Sequence, residues 1–398
     1  MTSVVFYFQV HQPFRLSRLS YLEVGKGKPL FDEAENKRIV QSVAERCYLP
    51  VNRLLLAEIE RSDGEFRCAF SLSGTVLQQL EDWAPAALES FQALAATGCV
   101  EFMGETSHHS LSGLLPGTEF ESQVTLHAKR IERLFGSQPR SFRNTELIFD
   151  NTIAKRLETL GVCALLGEGA DHLLEERLPQ FVYGVQGCDE LKLLLRSYVY
   201  SDDIAFRFSN KEWAGYPLMA DTFAGWLDEV PKEAPFIGLF MDYETFGEHQ
   251  AADTGVLDFI EYLPRFILEN PRLNFRTPSE VAESHGAVER LDAPRPISWA
   301  DAERDLSAWL GNPMQDAAHT AVYALAPAVL QTGDPDLLES WRRLTTSDHT
   351  YYMCTKHMSD GDVHEYFSPY ESPHDAFVNF MNVLDDLAQR VEAQLTET

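Results

Sequence analysis

Short segments apolar enough to be buried on both faces alternate, through the first two-thirds of the chain, with longer stretches of amphipathic helical spacing. The short segments are Val4–Val10, Phe66–Phe70, Val100–Met103, Ser141–Asn144, Val162–Leu166, Leu191–Arg196, Ile204–Phe208 and Phe236–Met241. Parallel strands covered on both sides have this character, because neither face meets water. Helical patterns lie at Asn36–Ile59, Pro85–Ala96, Glu119–Phe135, Thr152–Leu160, Pro217–Leu227 and Gly255–Leu268, with Pro85 and Pro217 where helices commonly begin. The alternation predicts an α/β protein with a parallel sheet, and about seven or eight repeats of it predict a closed barrel. Pro294-Arg295-Pro296 breaks the pattern. Beyond it the chain reads as helices, at Ala302–Leu310, Asp316–Gln331, Asp336–Leu344 and Pro373–Gln394, while Trp299, Trp309 and Trp341 supply apolar surface to bury. We expect a barrel unit at residues 1–295 and an α-helical unit at 296–398 packed on it.

Charge narrows the partners. With 61 Asp and Glu against 33 Lys and Arg, the formal net charge of −28 repels nucleic acid and anionic lipid and leaves a neutral substrate as the easiest partner. Such acidity reads as a solvated surface suited to high salt, where screening removes self-repulsion. No apolar run reaches bilayer length. The residues from Met1 to Val10 lack a basic region and a small-residue cleavage site, so they read as a strand and the protein as cytoplasmic. Cys47, Cys68, Cys99, Cys163, Cys188 and Cys354 form no C-x-x-C pair and read as free thiols. Nothing in the pattern fixes an oligomeric state.

In a parallel barrel the reactive groups stand at the carboxyl ends of strands. Four predicted strands end in titratable groups: the first in His11-Gln12-Pro13, another in Glu105 followed by His108-His109, a third in Glu146, and a fourth in Asp242-Tyr243-Glu244. Two carboxylates facing each other across a barrel mouth are the equipment of glycosidic cleavage, one attacking the anomeric carbon and the other protonating the leaving oxygen. Their mutual repulsion separates the two pKa values, so that one is ionised while the other holds a proton. Singly, each such acid is more often a surface or ion-paired residue.

The strings from Phe8 to Pro13, Glu101 to Glu105, Phe142 to Leu147 and Met241 to Gly247, in this order and spacing, resemble glycoside hydrolase family 57, in particular its α-amylase type. Leu344 to His349 with Tyr351-Tyr352, and the block Ser201 to Phe208, are similar to it as well. The resemblance spans nearly the whole chain. It implies an incomplete (β/α)7 barrel followed by a C-terminal helical bundle, acting with retention on α-1,4-linked glucans and maltooligosaccharides, with no cofactor and no metal. Glu146 matches the family's nucleophile and Asp242 its general acid/base. His11 matches the histidine lining the subsite of the reacting sugar, Glu105 and His109 fall in the second motif on the same wall, and Asp348 falls in the fifth. Amylase, 4-α-glucanotransferase and branching enzyme share these residues, and the compact chain favours the amylase type.

Each position has a plainer reading. His11 at a strand end is often a buried histidine bonded to backbone. Adjacent histidines on a strand point to opposite faces, so His108 and His109 make a poor metal pair. Arg207 either pairs with Asp202 or Asp203 or stands beside Glu146 and keeps it ionised. Trp213, Trp226, Phe246, Tyr351 and Tyr352 are core or sugar platforms; Trp213 and Phe246 are our candidates for the latter. Two other classes compete. A metal-dependent deacetylase on a similar barrel would want a ligand two residues after His11, where Pro13 has none to give. A non-catalytic glucan-binding protein would have no need of both Glu146 and Asp242.

Overall fold

The computed structural model describes residues 1–356 and 368–397. Its strands are β1 (Thr2–Val10), β2 (Cys68–Leu72), β3 (Val100–Phe102), β4 (Ser141–Arg143), β5 (Ala164–Glu168), β6 (Tyr183–Val185), β7 (Lys192–Arg196), β8 (Phe236–Asp242), β9 (Leu273–Phe275) and β10 (Arg290–Leu291). β1 pairs in parallel with β2 on one side and β8 on the other, with Phe8 opposite both Phe70 and Met241. β2 pairs with β3, β4 with β5, and β5 with β7, all parallel. Two narrow seams complete the ring. A single bridge joins Gly104, just past β3, to Phe142 of β4, and a single pair, Arg196 opposite Gly238, joins β7 to β8. β6 runs antiparallel along the start of β7, so the barrel is splayed there. The result is a (β/α)7 barrel with incomplete closure, followed by a helical region.

Strand periodicity sorts the side chains. Val5, Tyr7, Ala69, Met103, Ala164, Leu166, Leu194, Phe236 and Phe240 form an apolar plug inside the barrel. Their alternates, such as Phe6, Phe8, Phe70, Leu239 and Met241, pack outward with the surrounding helices. Counting two residues further along each strand places Gln9, Ser71, Glu105, Arg143, Glu168, Arg196 and Asp242 in the next interior layer, where the strands end. This polar layer is the floor of the mouth.

The expected strand at 204–208 is instead the end of a helix, Tyr198–Ala205. Helical spacing lets Asp203 pair with Arg207 and lets Ser201 Oγ accept from the Phe240 amide, and the helix thereby packs against β8 beside the narrow seam. The expected helix at 302–310 forms turns, because Asp301 and Arg304 take positive φ (56° and 52°) and the Asp305 carboxylate accepts from the Ser307 amide. Residues 204–208 are thus the last residues of a helix and the turn after it, and 302–310 are turns.

The helical region comprises Pro313–Ala324, Ala326–Thr332, Pro335–Leu344, Ser347–Tyr351 and Pro373–Glu397. Asn312 and Asp334 cap two of these starts and Pro follows each cap. Trp341, fully buried, donates its indole N–H to the Val322 carbonyl (2.7 Å) in a core that Leu16, Leu19 and Leu30 of the N-terminal part also enter. Ile297, Ala308 and Trp309 pack instead with β4, β5 and β7. The six cysteines are unpaired. No helix among the described residues is long and apolar enough to cross a membrane.

Candidate active site

Glu146 follows β4 in a tight turn, Thr145–Leu147, and has φ 57° and ψ 29°. A non-glycine residue in this left-handed region costs about 1–3 kcal/mol and persists only where its surroundings over-determine it. Here they do. Thr145 Oγ1 lies 2.8 Å from Thr106 Oγ1, which ties the turn to the one after β3. Trp299 donates its indole N–H to Glu146 Oε2 (2.8 Å), and Ser347 Oγ lies 3.3 Å from Oε1. His109, itself at φ 49°, places Nε2 3.4 Å from Oε1.

The other nitrogen of His109, Nδ1, is 3.0 Å from Glu105, which is fully buried beneath it. A ring between two carboxylates is held as a cation: burial would lower its pKa, but the bonds to Glu105 and Glu146 push it up to about 9. Burial would raise the Glu146 carboxyl in turn, and the bond and charge of His109, helped by Arg143, outweigh this and hold it below the ordinary carboxylate value. His11 stacks on His109 at 3.9 Å between centroids. Burial and the charge of His109 push His11 down, so it is the neutral ring of the two. Its Nδ1 meets Ser73 Oγ (2.7 Å) and its Nε2 meets Asp348 (2.9 Å).

Asp242 ends β8 on the opposite side of the floor. Burial pushes its carboxyl up to about 6; Arg143 opposes that rise and the charge of Glu146 adds to it. The two carboxylates therefore carry opposite perturbations: Glu146 is held ionised and Asp242 is held near the point of protonation. Side-chain exposures of 18% for Glu146 and 20% for Asp348 leave the mouth accessible. The helical region closes one wall, with the Ser347 amide bonded to the His109 carbonyl (2.9 Å) and His108 Nε2 3.1 Å from Glu339.

A model of the family described as glycosyl hydrolase family 57 matches residues 5–294. The chain belongs to glycosyl hydrolase family 57. A protein of Methanocaldococcus jannaschii named "Putative alpha-amylase" is 38% identical over 418 residues, covering 99% of this chain and 86% of that protein. Among solved structures, a family 57-type branching enzyme from Pyrococcus horikoshii superposes with a TM-score of 0.67 at 15% identity, covering 99% of this chain and 94% of the other. A 4-alpha-glucanotransferase from Thermococcus litoralis gives 0.66 at 14% identity over 89% of this chain, which spans only 59% of that enzyme. An alpha-amylase from Thermotoga maritima gives 0.56 at 12% identity, covering 100% of this chain and 98% of that one. The family is one of glycoside hydrolases, with transferring enzymes among the relatives.

Within this family fold, Glu146, Asp242, His11, His109 and Asp348 lie together at the mouth. Three expected contacts stand elsewhere. Glu105 is beneath His109 with no exposed surface and meets the mouth only through its bond to that ring. Phe246 is fully buried, edge-on to Phe8 at 5.8 Å, because the turn Tyr243–Thr245 after β8 folds it into the outer core. Arg207 bonds Asp203 (2.6 Å) and the Val199 carbonyl, not Glu146. Trp213 is half-buried, edge-on to Trp226 at 6.1 Å with Arg207 over its ring at 5.9 Å. Arg143, Trp299 and Ser347 were not singled out from the sequence. Arg143 was available from strand alternation, one position in from Asn144; Trp299 and Ser347 reach Glu146 across 153 and 201 residues, a distance no local pattern spans.

Proposed function

We infer that the protein is a retaining, α-glucan-active glycoside hydrolase of the α-amylase type, cleaving α-1,4 bonds with Glu146 as nucleophile and Asp242 as general acid/base. The opposite perturbation of these two carboxylates carries the reading. Glu146, ionised, attacks the anomeric carbon; as that carbon's bond to the glycosidic oxygen breaks, Asp242 gives the departing oxygen its proton. In the second half, Asp242, now a carboxylate, takes a proton from water, whose oxygen bonds to the anomeric carbon. The ester to Glu146 breaks, and both residues return to their starting states. His11 and Asp348, both partly exposed at the mouth, would hold the reacting sugar, and half-buried Trp213 would add a further contact. The barrel unit, residues 1–295, would supply both acids, and the helical unit, residues 296–398, would supply Trp299, Ser347 and Asp348 as the wall.

Transfer is the second reading, supported by the likeness in fold to a branching enzyme over 99% of this chain. A sugar hydroxyl would then replace water in the second half. The metal-dependent alternative has less support, since no group of three or more His, Cys, Asp and Glu among the described residues is arranged to hold an ion. The test is product analysis with a maltooligosaccharide of about seven units, long enough for several subsites, at low and high salt, beside Glu146→Gln. Shorter sugars alone, from the wild type only, are expected. Longer sugars would mean transfer, and an unchanged substrate at either salt would overturn the reading.

A further inference from the structure

Two arginines stand in the polar floor of the barrel, and their hydrogen bonding differs completely. Arg196 is fully committed: Nε donates to the Phe240 carbonyl (2.8 Å), one terminal nitrogen lies 3.3 Å from Glu168, and the other bonds Asp202. Arg143 is wholly buried, and none of its three nitrogens has a hydrogen-bond acceptor among the described residues. Its guanidinium lies 4.8 Å over the Trp299 ring, the same indole whose N–H holds Glu146. A buried, unpaired guanidinium is expensive, and such a group calls for an explanation.

The double displacement supplies one, and the argument rests on the reading of Glu146 and Asp242 above. Before the first bond breaks, Glu146 carries the negative charge and Asp242 the proton. In the glycosyl-enzyme, Glu146 is a neutral ester and Asp242 is the anion. One negative charge is conserved and changes sides of the mouth. A cation bound tightly to either carboxylate would stabilise one state at the expense of the other. A cation aimed between them and bonded to neither stabilises both, with no reorganisation as the charge moves.

We propose that Arg143 is a positioning residue, the counter-charge that Glu146 and Asp242 share, kept free of hydrogen bonds so that it serves whichever of them is anionic. Its neighbours fit that task. The charged and titratable groups facing Asp242 are Tyr7 on β1, His109 after β3, Arg143 on β4, Glu146 after β4, Arg196 on β7 and Glu244 after β8. Of the cations among them, His109 is divided between Glu105 and Glu146, and Arg196 between Glu168 and Asp202. Arg143 alone is uncommitted.

The test uses the full-length protein as Arg143→Met, Arg143→Gln and Arg143→Lys. The Asp242 carboxyl is titrated by infrared difference spectroscopy of protein labelled with 13C-aspartate, with Asp242→Asn to assign the band. In either neutral variant the midpoint is expected to rise by about one pH unit or more, and Arg143→Lys to restore most of it. In parallel, both limbs of the kcat/KM profile on a maltooligosaccharide should move to higher pH in the neutral variants and return with Lys. An unmoved Asp242 midpoint in a folded neutral variant overturns the proposal. So does a requirement for the charge in folding, seen as native Arg143→Lys beside unfolded Met and Gln variants. If the wild type turns over no glucan, the functional reading fails by itself, and the titration still decides the role of Arg143.

Discussion

The ring of His109 lies on that of His11 at an interplanar angle of 19°, while its two nitrogens face Glu105 and Glu146. One charged ring thus sits against a neutral one, and the charged one is aimed at the proposed nucleophile. In His109→Gln the cation is gone, so the Glu146 carboxyl rises. Activity requires Glu146 ionised and is lost as pH falls through its pKa, so the acid limb of kcat/KM moves to higher pH. A hydrogen bond to a charged group is worth about 1.5–3 kcal/mol, so kcat/KM at neutral pH should fall about ten- to a hundredfold. NMR titration of His11 should show an upward shift in the same variant, since its cationic neighbour has been removed. An acid limb that stays in place would free Glu146 from dependence on His109.

Trp299 provides a second, separable hold on Glu146. Trp299→Phe keeps an aromatic ring beneath Arg143, smaller than the indole, and deletes the donor to Oε2. We expect kcat to fall about tenfold or more, as befits one charge-assisted hydrogen bond, with KM and the melting temperature little changed. A fall in stability with kcat intact would make Trp299 a packing residue.

The parts that were legible in the sequence are those written locally. Strands such as Val4–Val10 announce themselves by double-sided apolarity, and the helix Glu119–Phe135 was expected with the bounds it has. That Glu146 and Asp242 stand at the mouth was legible because a strand end is a position in the fold as well as in the chain. What escaped depends on tertiary partners. Residues 204–208 alternate like a strand, yet the partners of Ser201 and Asp203 fix them as the end of a helix and the turn that follows. Phe246 follows a strand end as a sugar contact would, but the turn before it sends the ring into the core. Trp299 reads in the sequence only as apolar surface to bury, and the turns that follow it, with Asp301 and Arg304 left-handed, go with an indole that reaches Glu146.

Glu244, two residues beyond Asp242, gives the fold a dependence on pH that is distinct from catalysis. It is buried, accepts a hydrogen bond from the Tyr48 hydroxyl (2.5 Å), and is pushed up to about 8, chiefly by burial and then by the charge of Asp242. Its folded pKa lies above the ordinary value of 4.5, so the native state binds its proton more tightly than the unfolded chain. The stability this contributes is fully present below about pH 4.5 and is lost as pH rises towards about 8. Glu244→Gln mimics the protonated form. Its melting temperature should therefore gain on the wild type between pH 5 and about 8, with the difference levelling off above that. Melting curves across this range decide it, and a difference that shrinks as pH rises would contradict the assignment.

Phe246 separates packing from sugar contact. Its ring is fully buried against Phe8, and the following Gly247, at φ 106°, fits a turn so close to the Arg46 carbonyl that a Cβ would lie only 2.3 Å from that oxygen. The ring therefore has no freedom to swing towards the mouth. Truncating a buried phenylalanine leaves a cavity and costs about 3–5 kcal/mol, so Phe246→Ala should unfold at markedly lower denaturant. The fraction that is folded should bind a maltooligosaccharide with KM within about twofold of the wild type, because no sugar-facing surface is lost. A sugar platform behaves in the opposite way, with stability nearly kept and KM raised about tenfold, which is about 1.4 kcal/mol of binding. Denaturant unfolding and steady-state kinetics on the same preparation tell the two apart, and the second pattern would return Phe246 to the sugar-binding wall.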